Sequence, residues 1–354
     1  VVAGLAAALL GFVAVVPAAP AGGATPVTFR VDLRYSCLYF YGAASTTYTV
    51  SRLDGTLVLD RDVVATDGGG MGQACFADAP TAGQKLRAVT AGYARTMTVP
   101  AFSMRNDRAT DVVSGAAPAG RTVNVGVDRY ATGTYSDGAA PYERTVTATA
   151  SGTYSVDVTA DGGFRGGDAL SVWVTTAAGD SLLTGAPAEH ARIQRGSSRV
   201  DGWLSPGDPV ELVLQNATGG IRGRARLVGL PDNPSWGRFM TANGATVVAR
   251  AGDKVVGDLA PDATFTIPDI TIVADPTTDV VTLTCPGMPG QGAIVEARRA
   301  DFSASVTRVG VTSASGVRTY DVTASVDLEV GDALEGTCRL DSGDEIHVRA
   351  VVAP

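Results

Sequence analysis

The sequence predicts an all-β chain made of consecutive sandwich modules, and three observations carry that expectation. The first is composition: with 354 residues, 45% hydrophobic and 18% charged, the chain is too apolar for disorder and long enough for several ordinary domains. The second is local patterning. Val and Thr recur with a period of two and 43 glycines punctuate the chain, whereas the apolar period of an amphipathic helix is missing. The third is an internal period. Gly-Asp-Ala-Leu occurs at Gly167 to Leu170 and at Gly331 to Leu334, with related turns at Gly83-Gln84-Lys85-Leu86 and Gly252-Asp253-Lys254-Val255. The leading glycines of these four turns are almost evenly spaced along the chain, and even spacing on this scale is the signature of repeated modules. A second anchor agrees, since Asp107-x-x-Thr110-Asp111-Val112-Val113 returns two periods later as Asp275-x-x-Thr278-Asp279-Val280-Val281.

Taken in order, the chain opens on an apolar run, Val1 to Val16, followed by small residues and prolines up to Ala24. A run this short, ending at Ala19-x-Ala21 or Gly22-x-Ala24, reads as a signal peptide over 1–24; a short uncleaved anchor is the alternative. No later stretch approaches the ~18 apolar residues of a spanning helix, so no transmembrane segment is expected after signal removal. The expected location is secreted, extracellular or on the cell surface. The period divides the remainder into four modules, at 25–105, 106–188, 189–272 and 273–354.

Each module begins with a β-rich run and a Pro/Gly turn, such as Val112 to Gly120 or Val280 to Gly287. An alternating strand follows, as at Thr122 to Val127 and Pro209 to Leu214, and half-buries one face. A strand led by glycine and carrying a tyrosine comes next, Gly152 to Val158 and Gly316 to Val322, and the Gly-Asp turn with a last hairpin closes the unit.

Four cysteines in an exported chain favour two disulfides over zinc, since there is no Cys-x-x-Cys and the histidines are His190 and His347 alone. Cys37 and Cys75 lie near one end, Cys285 and Cys338 near the other. Pairing within each end is the simplest of the three connectivities, and each closed loop then restricts the unfolded chain by about 4 kcal/mol. Shifting by the repeat carries Cys338 onto Val174 and Cys285 onto Ala117, so a buried bridge across the last sandwich is expected. Trp173 alternates with the inward residues and points to the other face.

The run Val-x-Gly-x-x-Pro-x-Gly-x-x-Val-x-Val, then Gly-x-Tyr-x-Val and Gly-Asp turns, resembles the immunoglobulin-like repeats of bacterial secreted and cell-surface proteins. The resemblance spans nearly all of the mature chain and is fullest in the second module. The first module matches mainly at its Gly83 turn, and the third lacks the Gly-x-Tyr strand. It implies a tandem array of four immunoglobulin-like β-sandwich modules after a signal peptide, serving as a stalk, adhesin or non-catalytic accessory with no shared catalytic residue.

Chemistry is sparse. A net charge of −8 opposes a nucleic-acid partner. There is no Gly-x-Ser-x-Gly elbow, Walker loop, dinucleotide fingerprint, EF-hand or zinc-protease helix, so neither catalytic residues nor a cofactor or metal is expected. His190 reads as a solvated linker residue and His347 as an exposed one. Acids cluster at turns, as in Gly167-Asp168, Gly207-Asp208, Gly331-Asp332 and Gly343-Asp344, where they bond turn backbone. Asp107, Asp111, Asp275 and Asp279 are solvated junction acids in the first reading and calcium ligands in the second. Tyr35, Cys37, Tyr39 and Tyr41 share a strand face, and a disulfide cysteine normally faces inward. Core packing is therefore the first reading of these rings, and a ligand surface at Tyr39, Tyr41 and Trp173 the second. The expectation is a non-catalytic structural or adhesive protein; the alternative is a glycan- or protein-binding module acting through the first unit, and a carboxylate hydrolase comes last.

Overall fold

The computed structural model describes residues 26–128, 142–204, 209–229, 235–257 and 264–354, and the expected signal peptide lies outside them. The chain is all-β, as its patterning predicts. Its first strands are β1 (Thr28–Asp32), β2 (Cys37–Tyr41), β3 (Thr47–Asp54), β4 (Leu57–Ala65), β5 (Met71–Cys75), β6 (Lys85–Thr90) and β7 (Tyr93–Thr98). Next come β8 (Arg105–Asp107), β9 (Val112–Ala116), β10 (Thr122–Asp128), β11 (Tyr142–Thr147), β12 (Thr153–Asp157), β13 (Ala169–Thr175) and β14 (Ser181–Pro187). The C-terminal half repeats the series with β15 (His190–Gln194), β16 (Arg199–Trp203), β17 (Pro209–Gln215), β18 (Ile221–Val228), β19 (Ser235–Arg238), β20 (Lys254–Gly257) and β21 (Phe265–Thr266). It ends with β22 (Thr271–Asp275), β23 (Val280–Thr284), β24 (Gly292–Arg298), β25 (Ser305–Val311), β26 (Val317–Asp321), β27 (Ala333–Arg339) and β28 (Glu345–Val351).

The strands do not form isolated sandwiches strung on linkers. In the N-terminal half, β11-β10-β13-β14 and β1-β2-β5 merge into one seven-stranded sheet, faced by β4-β3-β6-β7 and β12-β9-β8. The C-terminal half does the same: β25-β24-β27-β28 joins β15-β16-β19, faced by β18-β17-β20-β21 and β22-β23-β26. The seam is a parallel pairing, Val31 beside Leu182 in one half and Ile193 beside Ile346 in the other. All four of these side chains are fully buried. One apolar cluster runs through each half, from Val27 to Ala188 and from Ala191 to Val352.

The period has a backbone cause. Gly83, Gly167, Gly252 and Gly331 all have positive φ, between +76° and +98°, which an L side chain adopts only at a cost. In each turn the glycine N–H donates to a carbonyl of the closing strand, that of Val99, Ala188, Ile267 or Val352. The following side chain accepts the N–H three residues back: Gln84 from Thr81 (3.1 Å), Asp168 from Arg165 (2.7 Å), Asp253 from Arg250 (2.8 Å) and Asp332 from Glu329 (2.9 Å). Turn chemistry for Asp168 and Asp332 is thus as read from sequence.

Both disulfides pair within their own ends, Cys37 with Cys75 and Cys285 with Cys338. The second joins the end of β23 to β27 across the sandwich with both cysteines fully buried, as the repeat predicts. Ala117 and Val174 fill the equivalent place in the N-terminal half. The first is different. Cys37 and Cys75 stand directly opposite each other on neighbouring strands of one sheet, and Cys75 is exposed.

Candidate binding faces and the joint between halves

An exposed cysteine at 75 sets the orientation of β2. Leu38 and Phe40 are fully buried, so Cys37, Tyr39 and Tyr41 face outward. This corrects the core reading of the tyrosine cluster: Tyr35 is 46% and Tyr41 36% exposed. The inference failed because this disulfide is an outer-face staple between paired strands, not a core bridge. Tyr48 on the neighbouring β3 is buried instead, edge-on to Phe40 at 5.2 Å.

The seven-stranded sheet brings the three ring residues of the second reading onto one face. Register rows cross it from Trp173 through Leu183 and Asp32 to Cys37, and from Ser181 through Arg30 and Tyr39 to Gln73. Tyr41 and Met71 form the next row. Trp173 leans over Gly126, where a Cβ would lie 3.2 Å from the indole. Arg34 stacks on Tyr35 at 4.3 Å, and Asp32 accepts the Arg34 and Tyr35 backbone N–H groups, which fixes the β1–β2 turn. Burial raises the Asp32 pKa against the pull of Arg34 and Arg30. The result is an aromatic platform edged by guanidinium, carboxylate and amide groups.

The corresponding face of the C-terminal half is charged. His347 on β28 is buried, with Nδ1 2.9 Å from Glu335 Oε1 and Nε2 3.6 Å from Glu345 Oε2. Burial disfavours its cation, but the two carboxylates outweigh this and raise its pKa. The hydrogen bond from His347, opposed by burial and helped by Arg349, lowers Glu335 to about 2. Glu345 is also lowered, its burial outweighed by His347 and Arg192. His347 is therefore not the exposed residue that strand alternation suggested, because opposed charges on neighbouring strands close over it.

His190 is likewise not a solvated linker residue. It is buried where the halves meet, its Nδ1 3.0 Å from the Ala188 carbonyl, and burial lowers its pKa. A turn of the N-terminal half, Arg165-Gly166-Gly167-Asp168, covers it so closely that a Cβ on Gly166 would come within 2.8 Å of the His190 Cβ. The turn before β28 plugs into the same place. Gly166 N–H donates to the Ser342 carbonyl at 3.0 Å, and Arg339 reaches across to Asp168 at 3.1 Å. Arg108 donates to the Ser342 and Glu189 carbonyls and pairs at 3.4 Å with Asp344, which is fully buried.

Asp344 also holds the seam. Its Oδ1 accepts the Ala191 N–H at 2.7 Å, tying the first strand of the half to the last. Asp180 does the same in the N-terminal half, accepting the Phe29 N–H at 3.0 Å, with Arg95 at 2.7 Å as its cation. The same device thus takes its cation from within the N-terminal half in one case and across the joint in the other.

The junction acids are occupied by backbone donors, Asp107 and Asp275 within their own turns and Asp111 and Asp279 across to distant segments. Asp107 accepts the Ala109 N–H, Asp111 that of Phe164, Asp275 that of Thr277 and Asp279 that of Leu328. Asp279 is buried, which departs from the solvated reading. Among the described residues no group of three His, Cys, Asp or Glu side chains is disposed to hold a metal, and no helix is long and apolar enough to cross a membrane. An open cavity of about 470 Å³ lies on the charged face, lined in part by Glu296, Glu335, Arg298 and Arg349. Glu296 and Glu335 stand directly opposite each other. Glycoside hydrolysis needs one carboxyl whose pKa is raised enough to donate a proton, and Glu335 is shifted the other way.

No family model matches the chain, and no curated protein matches it. Among solved structures it is similar to a tetra-tandem repeat from the extending region of a large adhesion protein, with 13% identity, 92% of this chain and 99% of that one covered, and a TM-score of 0.19. It is also similar to a structure described as bearing on host cell surface retention of a 1.5-MDa bacterial ice-binding adhesin, with 12% identity, 94% and 98% covered, and a TM-score of 0.18. The chicken CNTN1 FN1–FN3 domains match at 9% identity, 94% and 100% covered, and a TM-score of 0.20. Likeness at these scores transfers no residue role to this chain.

Proposed function

We propose that the chain is a non-catalytic adhesive or structural protein of the cell exterior, built of four immunoglobulin-like modules at 25–105, 106–188, 189–272 and 273–354. One observation carries the reading most: the joint, where buried Arg108 meets buried Asp344. A buried charge pair between halves resists bending, which suits a spacer that holds a surface away from its point of attachment. The two disulfides fit an oxidising exterior. Small-angle scattering tests the spacer. A single globule of this length has a radius of gyration of about 20 Å. The expected value is clearly larger, with an elongated distance distribution; a value near that of the globule overturns the proposal.

A second reading, a binding function for the N-terminal half, is favoured by the outward placement of Tyr39, Tyr41 and Trp173 on one sheet face. Flat rings beside polar groups suit stacking against sugar rings or a partner's apolar side chains. Replacing Tyr39 and Tyr41 with Ala should abolish binding by this face while leaving the thermal unfolding midpoint nearly unchanged, because neither ring is in the core. Unchanged binding by the folded double variant removes the site.

A further inference from the structure

The aromatic face is present twice. β16 holds the place in the C-terminal sheet that β2 holds in the N-terminal one, between a seam strand and a short edge strand. The register rows correspond. Ser181, Arg30, Tyr39 and Gln73 cross the first sheet, and Glu345, Arg192, Asp201 and Trp236 cross the second. The adjacent row places Tyr41 next to the seam strand in the first sheet and Trp203 opposite His190 in the second. Both halves therefore set an arginine on the seam strand and aromatic rings on the two strands beside it or on the nearer one.

The second platform is prepared for a ligand. Trp236 is 66% exposed on the outer face of β19, diagonal to the half-buried Trp203, a separation that indole side chains bridge. Arg192 is not mobile at the seam, because buried Glu345 holds its Nε at 2.9 Å. Asp201 is held by Arg199 at 2.8 Å. Donors and acceptors are thus fixed beside the rings, with Arg192 and Arg199 each paired with a carboxylate and Arg238 standing opposite Arg199 on the same face. Exposed aromatic rings flanked by fixed donors and acceptors match a pyranose, whose C–H face stacks while its equatorial hydroxyls bond sideways.

We propose that Trp203, Trp236, Arg192 and Asp201 form a second saccharide-binding platform, equivalent to the one around Tyr39 and Tyr41, so that one chain offers a polysaccharide two points of contact. This deepens the binding reading above and rests on it for the first platform. Two contacts on one polymer add through effective concentration, so losing either weakens binding well beyond the loss of half the sites.

Affinity electrophoresis of the full chain tests this, in native gels containing hydroxyethyl cellulose, laminarin, galactomannan or amylopectin. Retardation by at least one polymer is expected, and Trp236→Ala should weaken it about tenfold or more, as truncation of an aromatic anchor does. Adding Tyr39→Ala and Tyr41→Ala should remove the remainder. Trp236 is exposed, so the variant should fold, and an unchanged unfolding midpoint verifies this. Wild-type retardation of a folded Trp236→Ala variant, with loss only in the tyrosine variant, overturns the second platform and leaves the first. Loss in Trp236→Ala with no effect of the tyrosine changes overturns the first reading and keeps the second. No retardation of the wild-type chain by any polymer overturns both.

Discussion

Gly343 and Gly179 offer a matched pair of substitutions that isolates the joint. They occupy the same turn in the two halves, before β28 and before β14, with φ of +88° and +83°. An L side chain in that region costs about 1–2 kcal/mol through its own backbone, so Gly179→Ala and Gly343→Ala should share this cost. They differ in surroundings. A Cβ on Gly179 meets nothing within 4 Å, whereas one on Gly343 would overlap the Gly166 carbonyl oxygen and lie 2.5 Å from the Gly166 nitrogen. These are backbone atoms of a turn held by Arg339 and by the Gly167 N–H bond to the Ala188 carbonyl, so they cannot rotate aside. Relief requires the joint to open, and overpacking of this kind adds about 1–3 kcal/mol. The opening also draws Asp344 from Arg108 and loosens its hold on the Ala191 N–H at the seam. Urea unfolding measures the difference, and small-angle scattering of each variant in buffer reads the angle between halves. The expected outcome is a modest, purely thermodynamic loss for Gly179→Ala and a larger loss with a changed scattering profile for Gly343→Ala. Equal midpoints with unchanged scattering would refute a close-packed joint.

The remaining predictions concern the disulfides, the histidines and one strained turn. Mild reductant without denaturant should open Cys37–Cys75 first, because Cys75 is exposed while both Cys285 and Cys338 are fully buried; alkylation followed by peptide mass analysis shows the order. Replacing either pair with Ala loses roughly 4 kcal/mol of chain restriction, but the Cys285/Cys338 pair also leaves a core void and should cost roughly 1 kcal/mol more in chemical unfolding. The histidines should act in opposite directions. His347, raised in the folded state, stabilises fully below the unfolded histidine pKa of 6.5 and loses that contribution as pH climbs through its folded value, so His347→Gln should flatten the alkaline side of the stability profile. His190, lowered by burial, costs stability as pH falls below 6.5, so His190→Gln should flatten the decline just below neutrality. Glu335, at about 2 when folded, contributes above its ordinary 4.5 and loses that contribution as acid approaches its folded value. Phe302 has φ +63° and is 72% exposed, so Phe302→Gly should stabilise by about 1 kcal/mol in thermal unfolding.

What the sequence disclosed depended on whether a feature was local. The period showed because it is written in backbone: four turns each need a residue with positive φ, and only glycine supplies it cheaply, so Gly83, Gly167, Gly252 and Gly331 stand out without any knowledge of contacts. The buried Cys285–Cys338 bridge followed because shifting by the repeat carries both cysteines onto small or apolar inward positions. The same reasoning misplaced Tyr35, Tyr39 and Tyr41, since the first module offers no repeat counterpart at Cys37 and the inward rule for disulfides was used alone. Alternation with Leu38 and Phe40 held the correct answer: of two adjacent strand faces, the one carrying Leu and Phe is the better candidate for the core. Trp203 and Trp236 went unnoticed because they are distant in the chain with no motif linking them, and only the pairing of β16 with β19 sets them side by side.

The seams and the joint are the least local features, yet one signal for them is present. Asp180 and Asp344 each follow a glycine and directly precede the last strand of a half, whereas Gly92, before the strand Tyr93–Thr98, is followed by no acid. What sets these two acids apart is a contact made once per half. Here it is the pinning of a first strand to a last one, by a carboxylate accepting the N–H of Phe29 or Ala191. Parallel seams of three residue pairs, Arg30 to Asp32 and Arg192 to Gln194, are too short to define the register by ladder bonds alone. A buried carboxylate that fits only one register supplies the missing specificity, and its desolvation is tolerable because an arginine is brought to it, Arg95 from the same half or Arg108 from the preceding one. The charge that fixes the fold of the C-terminal half is therefore neutralised by the N-terminal half, and the two halves are joined by the same group that gives the second its register.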